Sequence, residues 1–273
     1  MEDRFLSPKR DIVFKLLFGD ERNIDFLTDF LKSVLRLPED EYDEVTVVDP
    51  NLLPEFASDK LSILDVKVKT KRGKTIDIEI QILPTPELRE RIVCYAAKMI
   101  TEQVGEGMAY SNIKRVISII ITDFTLITDN VRYHNRYTLY DPETNSEFSN
   151  IIEVNTLELT KLPENGDGTD LWAWMKFLSA RNKEEMNVIA ESSPQVKKAV
   201  ARLAVLTDDE RARMLIDNQM RMEGYIYGRE QWVKKESKEE VAHEMLMDDV
   251  PIEKVIKYTG LLREDVERLR VID

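Results

Sequence analysis

The residue types with the clearest chemical potential lie on two neighbouring stretches of β-rich sequence. Residues 60–70 and 75–83 both have the composition of strands, and a three-residue loop ending at Gly73 is predicted to join them, with the glycine in the left-handed conformation. In this register the apolar side chains share one face of the hairpin. On the other face, Asp65 lies directly opposite Glu79.

Two acids that face each other across a strand pair repel, at a cost of a few tenths to about 1 kcal/mol. Either water screens them or a cation lies between them. Mg²⁺ and other hard divalent cations take oxygen ligands, usually one or two carboxylates together with water and phosphate oxygens. Asp65 and Glu79 supply that minimum, and Gln81 projects from the same face, where its amide can hold a water. An ordinary solvated strand face is the alternative interpretation.

The distribution of charge along the chain helps to choose between a metal site and a solvated strand face. Residues 39–59 contain eight acids and no base, whereas residues 60–74 contain six bases and one acid, Asp65. An acid isolated among cations favours a metal site that handles phosphate. Lys67 is the best cation for a phosphate nearby, although the same register also pairs it with Asp77, which explains its position equally simply.

The elements around the hairpin indicate an α/β protein. An amphipathic helix over residues 11–37, which Gly19 would divide in two, precedes the hairpin, and a helix over 87–104 follows it. The order helix, strand, strand, strand, helix, strand is an α/β layout. The remaining predicted strands are 44–48, 114–122, 133–140 and 147–154, of which 114–122 has the β-branched composition of a strand buried on both faces.

The chain is predicted to contain a core domain of residues 1–162, a linker of residues 163–170 and a helical region of residues 171–273. Two short helices split by Thr259 and Gly260 resemble a helix-turn-helix. Residues 251–273 carry five bases and five acids, so these helices are interpreted as a packing or dimerisation unit. Gly224 and Gly228 leave a groove for a partner helix, which suggests a homodimer through this region.

Composition excludes several classes of protein. The chain has 273 residues and a net charge of −13, so its bulk charge repels nucleic acid. One cysteine, Cys94, cannot form an internal disulfide. Two histidines, His134 and His243, cannot build a multi-histidine metal site, and neither has an evident carboxylate or nucleophile partner. No apolar stretch is long enough to cross a bilayer and no signal segment opens the chain, so a cytoplasmic protein without membrane contact is predicted.

Four short motifs occur in order within residues 7–125. They are Asp11-x-x-Phe14-Lys15-x-x-Phe18, Leu64-Asp65-Val66-Lys67-Val68, Ile78-Glu79-Ile80-Gln81, and Arg91-x-x-x-Tyr95 followed by Gly107-x-x-Tyr110. In this combination the sequence resembles the Rpn family of recombination-promoting nucleases, also described as PD-(D/E)XK nuclease family transposases.

The resemblance implies a restriction-endonuclease-like core, a mixed β-sheet flanked by helices, which cleaves DNA with Mg²⁺ or another divalent cation. It also implies a part in DNA recombination or in the processing of mobile elements. Asp65 and Glu79 match the two metal-binding acids of the nuclease signature. Gln81 occupies a position that is lysine in many nucleases of this superfamily, so this chain lacks a cation that would assist catalysis there.

The resemblance also provides candidates for the surroundings of the metal. Asp11 is a candidate for an acid that supports the metal ligands from outside, although a solvated helix surface explains it too. Lys15, Lys67, Arg91 and Tyr95 are the candidates for contacts with DNA. The alternative function is a catalytically weak nuclease fold that serves as a DNA-binding or protein-binding module.

Overall fold

The computed structural model of the chain describes residues 5–49, 51–52, 62–63, 65–191 and 193–269. Its centre is a mixed six-stranded sheet with the strand order β1-β4-β5-β6-β8-β7, and a separate two-stranded pair is formed by β2 and β3. The sheet confirms the α/β class. The strands are β1 (Thr46–Val48), β2 (Asn51–Leu52), β3 (Ser62–Ile63), β4 (Val66–Lys69), β5 (Thr75–Gln81), β6 (Val116–Thr122), β7 (His134–Tyr140) and β8 (Glu147–Glu158).

The three central strands β5, β6 and β8 are parallel, while β4 and β7 run antiparallel to their neighbours. Every residue of β6 is buried, as its β-branched sequence predicts for a strand covered on both faces. The strand β8 continues to Glu158, four residues further than predicted. Its last residues are buried and extend the parallel pairing with β6.

The hairpin of β4 and β5 has the predicted register. Val66 lies opposite Ile78 and Lys67 lies opposite Asp77. Gly73 has a φ of +81°, and its N–H donates to the carbonyl of Thr70 at 2.8 Å, which closes the three-residue loop. The polar face of this hairpin is not solvated, however. Strand β5 lies inside the sheet, and each of its residues up to Ile80 is buried. The alternative interpretation, an ordinary solvated strand face, is therefore wrong.

Helices cover both faces of the sheet. The predicted first helix is divided after Gly19, and three phenylalanines from its two parts pack around Trp174, a residue of a later helix. The helices are α1 (Asp11–Phe18), α2 (Ile24–Val34), α3 (Leu88–Thr101), α4 (Asp170–Ser179), α5 (Lys183–Ala190), α6 (Pro194–Asp208), α7 (Glu210–Met247), α8 (Ile252–Thr259) and α9 (Arg263–Leu269).

The chain divides into two compact units, with the boundary after Arg213. Helices α4, α5 and α6 belong to the first unit, so the segment 163–170, predicted as a linker, lies inside that unit. In the second unit, Ala242 of α7 packs with Val255 and Val266 from α8 and α9. Within the described residues, no helix combines the length and the apolar character that crossing a bilayer requires.

Candidate functional site

Asp65 lies at the start of β4, beside the middle strand of the sheet. One oxygen of its carboxylate, Oδ2, accepts a hydrogen bond from the backbone N–H of Ile80 at 2.9 Å. The Asp65 side chain is thereby fixed to β5 next to Glu79. The predicted register also pairs Leu64 with Ile80, and that pair lies outside the described residues. The hydrogen bond to Asp65 links the two strands at this end.

Glu79 projects from β5 toward α3 and is only 4% exposed. Its Oε2 lies 3.6 Å from Nη2 of Arg91, and the Arg91 guanidinium lies 6.0 Å from the ring centre of Tyr95. The strand and the helix that carry the third and fourth motifs therefore meet at Glu79. Among the described residues, the buried Nε of Arg91 has no hydrogen-bond partner.

Asp11 and Lys15 approach the same carboxylates from α1. They are one helical turn apart, and the Lys15 ammonium lies 3.0 Å from Asp11 Oδ1 and 3.1 Å from Asp65 Oδ1. The structure thus brings together the candidates from three motifs, Asp11 and Lys15 with Asp65 and Glu79. Lys15 and Arg91, which were predicted to contact DNA, each contact a carboxylate in this structure.

The two buried carboxylates hold their protons unusually tightly. Burial, together with the nearby charge of Asp11, raises the pKa of Asp65 to about 6. Burial and the charge of Asp65 raise the pKa of Glu79 to about 7. The charge of Lys15 opposes both pKa shifts and that of Arg91 opposes the shift of Glu79, without cancelling them. The site is therefore short of positive charge, because desolvation of two adjacent acids outweighs the two cations beside them.

A third acid, Asp77, lies on the same face of β5 as Glu79 and was not predicted as a site residue. It is 2% exposed, and its Oδ1 has no hydrogen-bond partner among the described residues. Burial and the charge of Glu79 raise the pKa of Asp77 well above its ordinary value. The two-residue period of the strand places Asp77 on the same face as Glu79, and this could have identified it as a site residue. Its predicted pairing with Lys67 offered a simpler explanation.

Lys67 is buried, and its ammonium contacts an acid other than Asp77. It lies opposite Asp77 in the register, yet Nζ forms its ion pair with Glu102, just after α3, at 2.8 Å. The predicted pairing of Lys67 with Asp77 across the strands is thus confirmed, while the ion pair of the ammonium is with Glu102. Glu102 comes from an element that the hairpin sequence does not describe.

Gln81 ends β5 and is half-buried. It lies beside Thr122 of β6 in the parallel register. Its side-chain amide forms no hydrogen bond with the part of the chain that the structure describes, so it is free to bind a water or another ligand. An amide cannot carry charge or transfer a proton at neutral pH, so any role is limited to positioning.

The chemistry of these donors fits a hard divalent cation. Asp65 and Glu79 offer carboxylate oxygens in a position where negative charge is unfavourable without a cation, and the buried Oδ1 of Asp77 lacks a partner on the same face. Among the described residues, no group of three or more acidic, histidine or cysteine side chains is arranged to enclose an ion. The protein would accordingly contribute a pair of carboxylates, with water and phosphate oxygens as the other ligands.

Comparison with known proteins agrees with this geometry. Searches of curated proteins and of solved structures gave no match. A family model described as PD-(D/E)XK nuclease family transposase matches residues 8–226, a range that contains all the sheet strands and every candidate residue named above. Because this match covers most of the chain, the protein belongs to the PD-(D/E)XK nuclease family transposases.

Proposed function

We propose that the protein is a Mg²⁺-dependent endonuclease that hydrolyses phosphodiester bonds of DNA, with the role of the Rpn nucleases in recombination. The observation that carries the proposal is the pairing of Asp65 and Glu79, held side by side by the hydrogen bond that the backbone N–H of Ile80 donates to Asp65. A DNA substrate agrees with the cytoplasmic location predicted from the sequence.

In this proposal Asp65 and Glu79 hold the cation. When bound, the ion would polarise a phosphate oxygen and lower the pKa of a water. Gln81 orients that water through its amide. Lys15 and Arg91, which contact the two carboxylates in this structure, turn toward the phosphate when a divalent cation replaces them as the partner of the acids. Asp11 keeps Lys15 on the correct side of the site.

Plasmid nicking in the presence of Mg²⁺ tests the proposal. We expect Asp65→Asn and Glu79→Gln, which keep the shape of each side chain, to reduce nicking about 100-fold or more, as EDTA should also do. Glu143→Gln is the matched control, because it removes an exposed carboxylate in the turn between β7 and β8. The control should nick DNA like the unaltered protein.

Equal nicking by all four proteins would show that these acids are not catalytic. If the unaltered protein fails to nick DNA yet binds it, the chain is instead a binding module with a nuclease fold. Gln81 favours that second candidate, since it stands where many nucleases of this superfamily have a lysine.

We also propose that α7 joins two copies of the chain. Several large side chains of this helix are more than half exposed, and a Cβ added at Gly224 or Gly228 would meet no atom within 4 Å. A second copy of the helix could approach closely at these glycines. The exposed large side chains near these glycines are Met222, Tyr225, Tyr227 and Trp232.

A further inference from the structure

A cleft with a volume of about 510 Å³ lies at the β7 edge of the sheet, on the face opposite the acid pair. Arg136 of β7 lies beside Asn155 of β8, which is in turn level with Ile119 and Ile78 on the next two strands. Registered neighbours project from the same face. Glu79, one residue after Ile78, projects from the other face, so the cleft is separate from the proposed metal site.

Arginine side chains dominate this cleft. Arg36, just after α2, and Arg132 and Arg136, at β7, all line it. Arg36 and Arg132 are exposed, and neither guanidinium forms an ion pair with a carboxylate in the described part of the chain. In a protein with a net charge of −13, two neighbouring arginines without acidic partners are unusual. They leave the cleft positively charged.

The acids near the cleft do not neutralise it. Glu153 lies beneath the cleft and is 3% exposed, but its single charge already serves two guanidiniums, those of Arg115 and Arg136. The carboxylate of Glu147 lies 3.4 Å from the Tyr140 hydroxyl, which donates to it. No acid is among the described residues that line the cleft.

Buried hydrogen bonds hold the floor of the cleft in place. The amide nitrogen of Asn155 donates to Glu153 at 2.8 Å, which leaves Asn155 Oδ1 as the acceptor for Nε2–H of His134 at 3.0 Å. Arg136 Nε donates to the same glutamate at 2.9 Å. His134 and Arg136 are therefore fixed before any ligand binds; the partner of His134 is the amide of Asn155, which is neither a carboxylate nor a nucleophile. Such preorganisation lowers the entropy cost of binding.

From this arrangement we propose that the arginine cleft binds the phosphate group of a nucleotide, either free or within a nucleic-acid strand. Guanidinium groups match phosphate oxygens through paired N–H donors. Tyr140 also lines the cleft and is 47% exposed, so its ring is available to stack on a base. A volume near 510 Å³ is in the usual range for small-ligand sites.

Isothermal titration calorimetry on the full chain tests this site in the presence of EDTA, so that the proposed metal site plays no part. The probes are deoxyadenosine monophosphate, deoxyadenosine and a short oligodeoxythymidylate. We expect Arg36→Gln and Arg132→Gln each to weaken phosphate-dependent binding about tenfold, the loss of one charged hydrogen bond. Both arginines are exposed, so the variants should keep the melting temperature of the unaltered protein.

Arg181→Gln is the matched control, because it removes the same charge from an exposed position between α4 and α5. This control should bind like the unaltered protein. Binding of the monophosphate but not of deoxyadenosine supports a free nucleotide as the ligand, and binding of the oligonucleotide alone supports a strand. Absence of binding to both, or equal weakening in Arg181→Gln, overturns the proposal. Failure of plasmid nicking would leave these results unchanged, because they need neither metal nor cleavage.

Discussion

Burial dominates the electrostatics of the acid pair. Asp65 and Glu79 each have a cation within 4 Å, and yet the pKa of both is raised. An exposed acid beside a lysine would show the opposite shift, since the cation favours the charged form. In the folded protein, an additional positive charge would therefore stabilise the ionised form of both acids. A structural ion pair, whose two charges already balance, would not be stabilised in this way.

The first prediction concerns the effect of pH on stability. The ordinary pKa values of Asp65 and Glu79 are 3.8 and 4.5, and folding raises them to about 6 and about 7. The folded chain therefore binds more protons than the unfolded chain between these limits, and the stability from these groups falls as the pH rises through them. A bound divalent cation compensates for that loss. We expect Mg²⁺ to raise the melting temperature more near pH 8 than near pH 5.

Thermal unfolding with Mg²⁺ and with EDTA measures this difference. Glu79→Gln is the informative variant, because an amide neither titrates nor attracts the cation strongly. It should unfold at a higher temperature than the unaltered protein near pH 8 in EDTA, and it should gain little from Mg²⁺. A Mg²⁺ effect of equal size at both pH values would contradict the assignment of the metal to this pair.

The second prediction concerns Asp77. This carboxyl is buried, its Oδ1 has no hydrogen-bond partner in the described part of the chain, and its pKa lies well above the ordinary value. Asp77→Asn replaces it with a neutral group of the same shape, so near pH 8 the variant should be as stable as the unaltered protein or up to about 1 kcal/mol more stable. Urea unfolding near pH 8 and pH 5 measures this. A marked loss near pH 8 would mean that Asp77 is ionised there and stabilised by Lys67.

At the level of elements, the hairpin shows how far a sequence can predict a site. The alternation of apolar and polar residues on β5 and the loop glycine determine one register, and that register places Asp65 and Glu79 together. Burial of the polar face could not be predicted in this way, because β6 and α3 create it. The ion pair of Lys67 with Glu102 depends on the same distant elements.

The sequence could not predict the arginine cleft either, because its residues come from distant parts of the chain. His134 meets Asn155 through the pairing of β7 with β8, which contains irregularities between Tyr137 and Tyr140. An irregular pairing changes which side chains share a face. Arg36 comes from a part of the chain almost 100 residues earlier, so no local spacing connects it with Arg132.

The third prediction tests the loop that determines the register. Gly73 has a φ of +81°, a conformation that costs other residues about 1 kcal/mol or more. A Cβ at this position would make only an ordinary contact with Lys114, so the backbone conformation alone determines the cost of Gly73→Ala. We expect a loss of about 1 kcal/mol in urea unfolding, and a smaller loss for Gly73→Asn, because asparagine tolerates this conformation.

Gly105→Ala is the control for the hairpin. Gly105 does not have a positive φ, and nothing lies within 4 Å of an added Cβ, so this change should be close to neutral. If both alanine variants lost the same free energy of unfolding, the left-handed loop would not explain the cost at Gly73.

At the level of the whole molecule, charge is distributed unevenly, and its local sign differs from one site to another. The net charge of −13 disfavours contact with nucleic acid in general. The two places where a phosphate is proposed to bind offset this negative charge in different ways. The acid pair has Lys15 and Arg91 beside it, and the cleft at β7 has arginines without acidic partners. DNA should therefore contact a few defined positions, and its binding should weaken steeply with added salt.

The last prediction concerns the assembly of the whole chain through α7. Size-exclusion chromatography with light scattering should show a dimer for the unaltered protein. Gly228→Leu should yield a monomer, because its side chain fills the groove through which two helices approach. Leucine is a better helix former than glycine, so loss of the dimer could not be attributed to loss of the helix. Gly228→Ala improves the helix while keeping the surface narrow, and it should remain dimeric. A monomeric unaltered protein would refute assembly through this helix, whereas a dimer that survives Gly228→Leu would place the interface elsewhere.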